Sequence, residues 1–205
     1  MKKSLKNRFV ILCCEYKLNQ LNKKGTHMNI FALDRDYKKS AEMHNDKHVV
    51  NMILEYAQLL SSAHRFLDGY KEIDLSSNRK ATRYKLKDDR DGILYKSTHI
   101  NHPSTIWTRE SKENYMWLYN MWVSLSNEYT HRYGKVHKSY AKLKDALRTP
   151  PSNIKSLGLT DVRQAMPDVY KCEDFVSAYR KYYIGDKQSF AKWTKRNTPE
   201  WFVYE

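Results

Sequence analysis

The spacing of hydrophobic positions predicts a long helix in the first third of the chain. After a short apolar run at 28–33, apolar side chains recur at helical intervals over 37–67. Asp34 or Asp36 is placed to cap the start of this helix, and Gly69 is placed to end it. The middle of the helix is apolar almost all the way round, which is typical of a helix that is buried on most sides.

A second long helix is predicted from Ser104 or Thr105 to Tyr133. Ser104 follows a proline and can serve as the N-cap, and Gly134 ends the helix. Three shorter elements follow: a basic helix over 135–148, one turn near 160–165, and a helix that Glu173-Asp174 opens and that runs to about Tyr183. The sequence shows no convincing hairpin signal and no internal repeat.

These elements predict a mainly α fold, a compact single-domain helical fold with two long central helices and irregular loops. Residues 1–27 contain seven Lys and Arg but one Glu, and Lys23-Lys24-Gly25 interrupts their pattern. We therefore expect 1–27 to be a basic, disordered N-terminal extension. Residues 28–205 are expected to form a single α-helical domain, and Met28 resembles a second start.

The composition favours a protein that binds a polyanion. The 205 residues carry 37 Lys and Arg against 23 Asp and Glu, a net charge of +14. Basic side chains bind phosphates, and 16 Tyr and 5 Trp supply rings that could stack on bases. DNA is the expected partner, a nucleotide is the second choice, and a Lys-rich solvated surface is the alternative. No membrane partner is expected, since no apolar run reaches the roughly 18 residues of a span.

The chain has three cysteines: Cys13, Cys14 and Cys172. Their spacing suits neither a disulfide framework nor a zinc site. We expect a reducing, cytoplasmic location, in a bacterial host if the chain is encoded by a phage, and a monomer or weak dimer. His44 and His48 have the i, i+4 spacing of two metal ligands, but Lys47 between them disfavours a cation. No metal and no cofactor are therefore expected.

A line of polar residues crosses the apolar first helix. His44, His48, Asn51, Glu55 and Gln58 follow one another at intervals of three and four, which puts them on one face of a helix. A buried carboxylate without partners is costly, so Glu55 is either paired structurally or held for chemistry with a raised pKa. We predict Glu55 as a catalytic acid/base, His48 as an orienting group and the others as substrate contacts. The alternative is a core network or a solvated face.

Phosphate and base contacts are predicted where the second long helix begins. The segment 98–104 carries His99, Asn101 and His102 just before the helix, and helix N-termini bind phosphates through their free N–H groups. His102 could donate a proton, and Trp107, one turn further on, could stack on a base or a sugar. The alternative is a capping loop with incidental histidines.

Basic residues also collect at the end of the second long helix. Arg132, Lys135 and His137 are predicted to hold phosphate, although the same residues could simply complement the helix C-terminus. Gln164 could contact a base edge. The basic, Tyr-rich stretch 179–187 could contact nucleic acid or close the core.

From Met28 onward the chain resembles the phage-type pyrimidine-dimer DNA glycosylases of the endonuclease V type. The similarity lies in the short start at Met28, the internal Glu55 of the first helix, Asn101-His102-Pro103 before a long aromatic helix, and the end at 179–187. It covers the order of elements and not a dense match of residues. The opening and the run Asp46-Lys47-His48 also resemble small uncharacterised phage proteins.

This resemblance implies attack of an amine on the deoxyribose C1′, formation of an imine, and strand cleavage by elimination. Glu55 would shuttle protons. The nucleophile of that family is the α-amine exposed when the initiator Met is removed, but 27 residues precede Met28 here. Lys47 would have to supply the amine instead, activated by loss of solvent.

The sequence therefore predicts a DNA-acting enzyme of the base-excision type, a DNA glycosylase or abasic lyase acting on a damaged or modified pyrimidine. The base would be flipped into a pocket beside the first helix, because a stacked base is inaccessible. Three alternatives remain. They are a transferase or hydrolase that processes a nucleotide or modified base, a non-catalytic nucleic-acid-binding protein, and a metal-dependent hydrolase or nuclease.

Overall fold

The structure is a computed structural model and describes residues 28–74 and 81–204, so the predicted extension 1–27 lies outside the described residues. The described residues form seven α-helices and one two-stranded antiparallel sheet, and the prediction of a mainly α fold is confirmed. The helices are α1 (Tyr37–Met43), α2 (Asp46–Asp68), α3 (Arg90–Ile93), α4 (Pro103–Glu110), α5 (Lys112–Tyr133), α6 (Lys138–Leu143) and α7 (Phe175–Lys187). The strands are β1 (Tyr70–Asp74) and β2 (Ala81–Lys85), and short 3₁₀ turns cover Asp168–Tyr170 and Gln188–Phe190.

The first predicted long helix is in fact two helices. Of the two predicted caps, Asp34 and Asp36, the structure has Asp36 at the start of α1. α1 ends at Met43, and α2 begins at Asp46, because His44 and Asn45 between them have extended backbone. The Asn45 side chain accepts a hydrogen bond from the N–H of His48, and the His44 ring lies 2.7 Å from the carbonyl oxygen of Ser40. The prediction of one continuous helix was wrong because Asn favours a cap over a helix interior, and the apolar pattern does not register caps.

The second predicted long helix is also divided. Ser111 separates α4 from α5, and its hydroxyl accepts a hydrogen bond from the N–H of Asn114. The cap of α4 is His102 and not Ser104, since the His102 ring accepts from the N–H of Ser104. Gly134 ends α5 with a left-handed φ of 66°, as predicted.

The shorter elements differ from the prediction mainly in their bounds. The helix predicted over 135–148 is limited to α6, because the ring of His137 caps it and starts it late. The segment 160–165 has no regular secondary structure, and the turn follows it at Asp168–Tyr170. Asp174 caps α7, as predicted, and α7 continues one turn beyond the predicted end.

The hairpin of β1 and β2 was not predicted from the sequence. Tyr70 pairs with Lys85 where the hairpin leaves the core. Both strands are largely polar, and Tyr70 and Ile73 are exposed. Because neither strand buries an alternating apolar face, the sequence carries no period-2 signal for it.

The core is built around α2, which packs against α4, α5 and α6. Two fully buried aromatic side chains of α5 join it to α2 with polar as well as apolar contacts. The indole of Trp122 donates to the carbonyl of Ile53 at 2.9 Å, and the hydroxyl of Tyr115 lies 2.8 Å from the ring of His64. α2 is therefore buried on most sides, as its apolar composition predicts.

A buried arginine ties the hairpin to the end of α2. The guanidinium of Arg65 donates to the carbonyls of Tyr84, Leu94 and Tyr95 and pairs with Asp91. Few apolar side chains of this region reach the core, so these charge-assisted hydrogen bonds do much of the anchoring.

We expect Gly69→Ala to destabilise the protein by about 1–3 kcal/mol, since a Cβ at residue 69 would overlap the carbonyl oxygens of Arg65 and Lys85. Gly92→Ala is the matched control, because a Cβ there meets no atom within 4 Å. Urea unfolding of both variants checks this. Equal losses in the two variants would contradict the close approach at Gly69.

Candidate active site

Glu55 is a half-buried carboxyl group with no charged partner. Its Oε2 is buried and makes no hydrogen bond. Burial raises the pKa of Glu55 to about 7, and the N–H of Asn29, which bonds the carboxylate, opposes that shift. No charged group of the described chain contributes. Glu55 can therefore take up and release a proton near neutral pH.

The segment beside Glu55 is fixed by a network of buried hydrogen bonds. The side-chain amide of Asn29 donates to the carbonyl of Ala165 at 2.7 Å, and its Oδ1 accepts from the N–H of Ile30 at 2.8 Å. The hydroxyl of Tyr179 lies 2.8 Å from the same Oδ1 and 2.7 Å from the carbonyl of Arg163. The backbone at 29 thus reaches Glu55 from a rigid support.

The two predicted histidines of the first helix lie in the core and are neutral. His44 is on the connection between α1 and α2, so it is not part of the polar line, and its Nε2 lies 3.1 Å from the hydroxyl of Tyr56. Burial lowers its pKa to about 4. His48 begins α2 and bonds the hydroxyl of Tyr183, and burial lowers its pKa as well.

The rest of the predicted line stays together on one edge of α2. Asn51 is exposed, and Gln58 is half-buried. Ser62, one turn beyond Gln58, accepts a hydrogen bond from the N–H of Thr98 at 3.2 Å. The loop that carries the second predicted cluster is therefore attached to the same edge of α2 as Glu55.

The second predicted cluster contains exposed residues, which can contact a ligand, and a buried residue, which cannot. His99 and Asn101 are exposed, and His99 has a left-handed φ of 46°, an uncommon conformation for a residue with a side chain. His102 is half-buried and caps α4. Trp107 is 1% exposed and packs edge-on against Trp117, so the prediction that its ring stacks on a base is corrected: the ring belongs to the core.

Arg132 does not fit the predicted role in phosphate binding. Its guanidinium is fully buried, pairs with Glu128 at 2.7 Å and Asp46 at 2.9 Å, and donates to the carbonyl of Glu42. Glu128 also pairs with Arg196 of the C-terminal segment. This cluster is a structural tie between α1, α2, α5 and the C-terminal segment.

The remaining predicted contacts are dispersed. Lys135 is exposed beyond the end of α5, and the half-buried ring of His137 caps α6. Both polar atoms of the Gln164 amide bond the backbone of Cys172, which leaves that amide engaged within its own loop and not free to contact a base edge. None of these three side chains makes a hydrogen bond to Glu55.

Lys47 is not the desolvated amine that the sequence analysis required. It is exposed, and its Nζ lies 4.3 Å from the ring centroid of Phe190. Glu55 follows eight residues later on α2, which corresponds to about 12 Å along the helix axis. The sequence does not place Asn29 beside Glu55, and it indicates Tyr179 and Lys187 only as part of the stretch 179–187. Tyr179 and Lys187 come to this region through contacts that span more than 100 residues.

Comparisons with known proteins leave these roles as predictions. The chain matches no protein-family model, and no curated protein and no solved structure is significantly similar to it. No helix of the described ranges is long and apolar enough to cross a bilayer. Within the same ranges, no three side chains of His, Cys, Asp or Glu are grouped so that they could hold a metal ion.

Glu55→Gln is expected to stabilise the protein at pH 8. The pKa of Glu55 is about 7 in the folded protein and 4.5 in the unfolded chain. Below pH 4.5 the carboxyl is protonated in both states and its ionisation does not lower the free energy of unfolding. Above pH 7 it is ionised in both states, and the loss of stability is complete. That cost is about 2–3 kcal/mol, and Gln does not incur it. Urea unfolding at pH 4.5 and pH 8 measures the difference, with Glu173→Gln on the surface as the control. A gain that is the same at both pH values would contradict the raised pKa.

Arg132→Met is expected to destabilise the protein by about 3–5 kcal/mol, because Asp46 loses its cation and the buried Glu128 keeps only Arg196. Arg148→Met, at an exposed position, should change stability by less than about 0.5 kcal/mol. Chemical unfolding compares the two. Unchanged stability combined with a loss of DNA binding would restore the phosphate-binding role.

Proposed function

We propose that this protein is a DNA-acting enzyme of the base-excision type, a glycosylase or abasic lyase that acts on a flipped-out damaged or modified pyrimidine. The observation that carries the proposal is Glu55, a half-buried carboxyl group with a pKa of about 7 and an unpartnered oxygen. A group with a pKa near the working pH is the most effective acid/base catalyst. The N–H of Asn29 offsets only part of the cost of burying this carboxylate, and no charged group of the described residues offsets the rest.

The chemistry assigned to Glu55 is proton transfer at the sugar. In the hydrolytic form, Glu55 takes a proton from water, the water oxygen bonds C1′, and the C1′–N bond breaks with its electron pair leaving on the base. In the lyase form, an amine replaces the water and an imine remains on C1′. Lys47 lies about 12 Å from Glu55 along the axis of α2, so the lyase form lacks an amine beside Glu55. The hydrolytic form needs only a water molecule there.

The polar edge of α2 supports a nucleic-acid substrate. Asn51 and Gln58 flank Glu55 by about one turn on either side, and the exposed His99 and Asn101 lie beyond Ser62 on the same edge. These side chains can hydrogen-bond base edges and phosphates. The net charge of +14 favours DNA over a neutral substrate.

Base release from duplexes that carry a UV dimer or an abasic site tests this proposal directly. The full chain, Glu55→Gln and the surface control Glu173→Gln are incubated with each duplex, with and without borohydride. We expect the full chain and the control to break the C1′–N bond in the dimer duplex or to cleave the strand at the abasic site, and Glu55→Gln to lose this activity by at least about 100-fold. A borohydride-trapped adduct identifies the lyase form, and an abasic product without an adduct identifies the hydrolytic form.

The pH profile gives an independent check on the role of Glu55. If the carboxylate activates water, kcat/KM should rise with pH up to about 7 and then level off, since the ionised form is the base. Glu55→Gln should lose this step. DNA binding without turnover on any of these duplexes, unaffected by Glu55→Gln, would overturn the proposal in favour of a binding protein.

A further inference from the structure

Two lysines and a histidine meet where the start of α2 approaches the end of α7. We call this the basic corner, and its members are Lys47, His48, Tyr182, Lys187 and Phe190. The Nζ of Lys187 donates to the hydroxyl of Tyr182 at 3.1 Å, and the Nζ of Lys47 lies over the ring of Phe190. The ring of Phe190 is 5.9 Å from that of His48.

His48 presents one free hydrogen-bonding atom to this corner. Its side chain is more than nine-tenths buried. The hydroxyl of Tyr183 bonds Nδ1 of the neutral His48 ring, and we assign the hydroxyl as the donor of this bond. The proton of the ring is then on Nε2, which makes no hydrogen bond in the part of the chain that the structure describes. A donor that has no protein partner, on a side chain that is otherwise buried, can bind a ligand or water.

The charges of the corner are not balanced by an acid. Burial lowers the pKa of His48 most, and the charges of His44, Lys187 and Lys47 lower it further, so both ammonium groups act on this ring. Neither lysine forms an ion pair within the described residues. The carboxylate whose charge reaches Lys187 is that of Asp186, which accepts from the hydroxyl of Tyr170 at 2.6 Å.

Three arginines elsewhere in the fold are instead paired with acids. Arg132 and Arg196 share Glu128, and Arg65 pairs with Asp91. The ammonium groups of Lys47 and Lys187 repel each other beside the neutral ring of His48. An anion bound between them would remove this repulsion and accept a hydrogen bond from His48 Nε2. The rings of Phe190 and Tyr182 add apolar faces of the kind that sugars and bases contact.

From this arrangement we infer that the basic corner binds a phosphodiester group of a nucleic-acid strand through Lys47, Lys187 and His48 Nε2. The identity of the strand rests on the proposed function, since Glu55 lies seven residues further along the same helix. That interval is about 10 Å of helix axis, or roughly three base steps of DNA. The corner would hold the backbone on one side of the base at Glu55.

The salt dependence of DNA binding tests this inference without any turnover. Binding of a 20-nucleotide single strand and the matching duplex is measured from 50 to 200 mM salt in the Glu55→Gln protein, into which Lys47→Gln, Lys187→Gln or Lys155→Gln is introduced. Each lost phosphate contact lowers the slope of log K against log salt by about 1. We expect that reduction for residues 47 and 187 and none for Lys155, which is exposed in a distant loop. Equal slopes in all variants would overturn the proposal.

A second measurement identifies the ligand and guards against misfolding of the Lys187 variant. The imidazole nitrogens of His48 are followed by NMR while inorganic phosphate, a thymidine mononucleotide or the 20-nucleotide strand is added. We expect Nε2 to shift with the strand, and the shift to weaken in Lys47→Gln, whose side chain is exposed. If His48 Nε2 shifts with inorganic phosphate or the mononucleotide but not with the strand, the ligand is a free phosphate, and the proposal is overturned. If the protein shows no turnover in the assays above but these NMR shifts are present, the proposed base-excision activity is refuted. Phosphodiester binding at the basic corner would then still stand.

Discussion

The structure depends on pairing the polar groups that its helical core buries. α2 is surrounded on most sides, yet it carries His48, Ser62, His64 and Arg65 into the interior. Each makes a hydrogen bond to a group outside α2, because an unpaired buried polar group costs more than the bond itself contributes. The tyrosine hydroxyls of α5 and α7 and the carbonyls of the irregular segments supply those partners.

This pairing explains how long stretches without regular structure stay in place. The C-terminal segment is held by Arg196 against Glu128 and by Thr194 against Asp46. The loop before α7 is held by Asn29, whose amide reaches Ala165. Hydrogen bonds and ion pairs between distant residues thus take over the role that helix packing has elsewhere in the fold.

Glu55 and the basic corner depart from this pairing, as do a few buried neutral groups such as the hydroxyl of Ser61. Glu55 has a raised pKa and one oxygen without a partner, and the corner collects two cations and a free imidazole N–H without an acid. Glu55 and His48 of the corner both lie on α2, about two turns apart, and neither forms an ion pair within the described residues. Glu55 and the two lysines of the corner lower the stability of the fold. Ionisable groups that do so are often the ones that act on a ligand.

The sequence by itself determined the mainly α class, the cap residues Asp36 and Asp174, the stop at Gly134, and Glu55 as the titratable group of the first helix. These follow from local preferences and from helical periodicity, which a single stretch of chain contains. The breaks at Asn45 and Ser111 and the polar hairpin were missed because caps and edge strands leave no apolar period. Only the tertiary structure decided that Arg132 and Trp107 are buried and that Lys187 joins His48, because burial and charge pairing depend on residues far away in the chain.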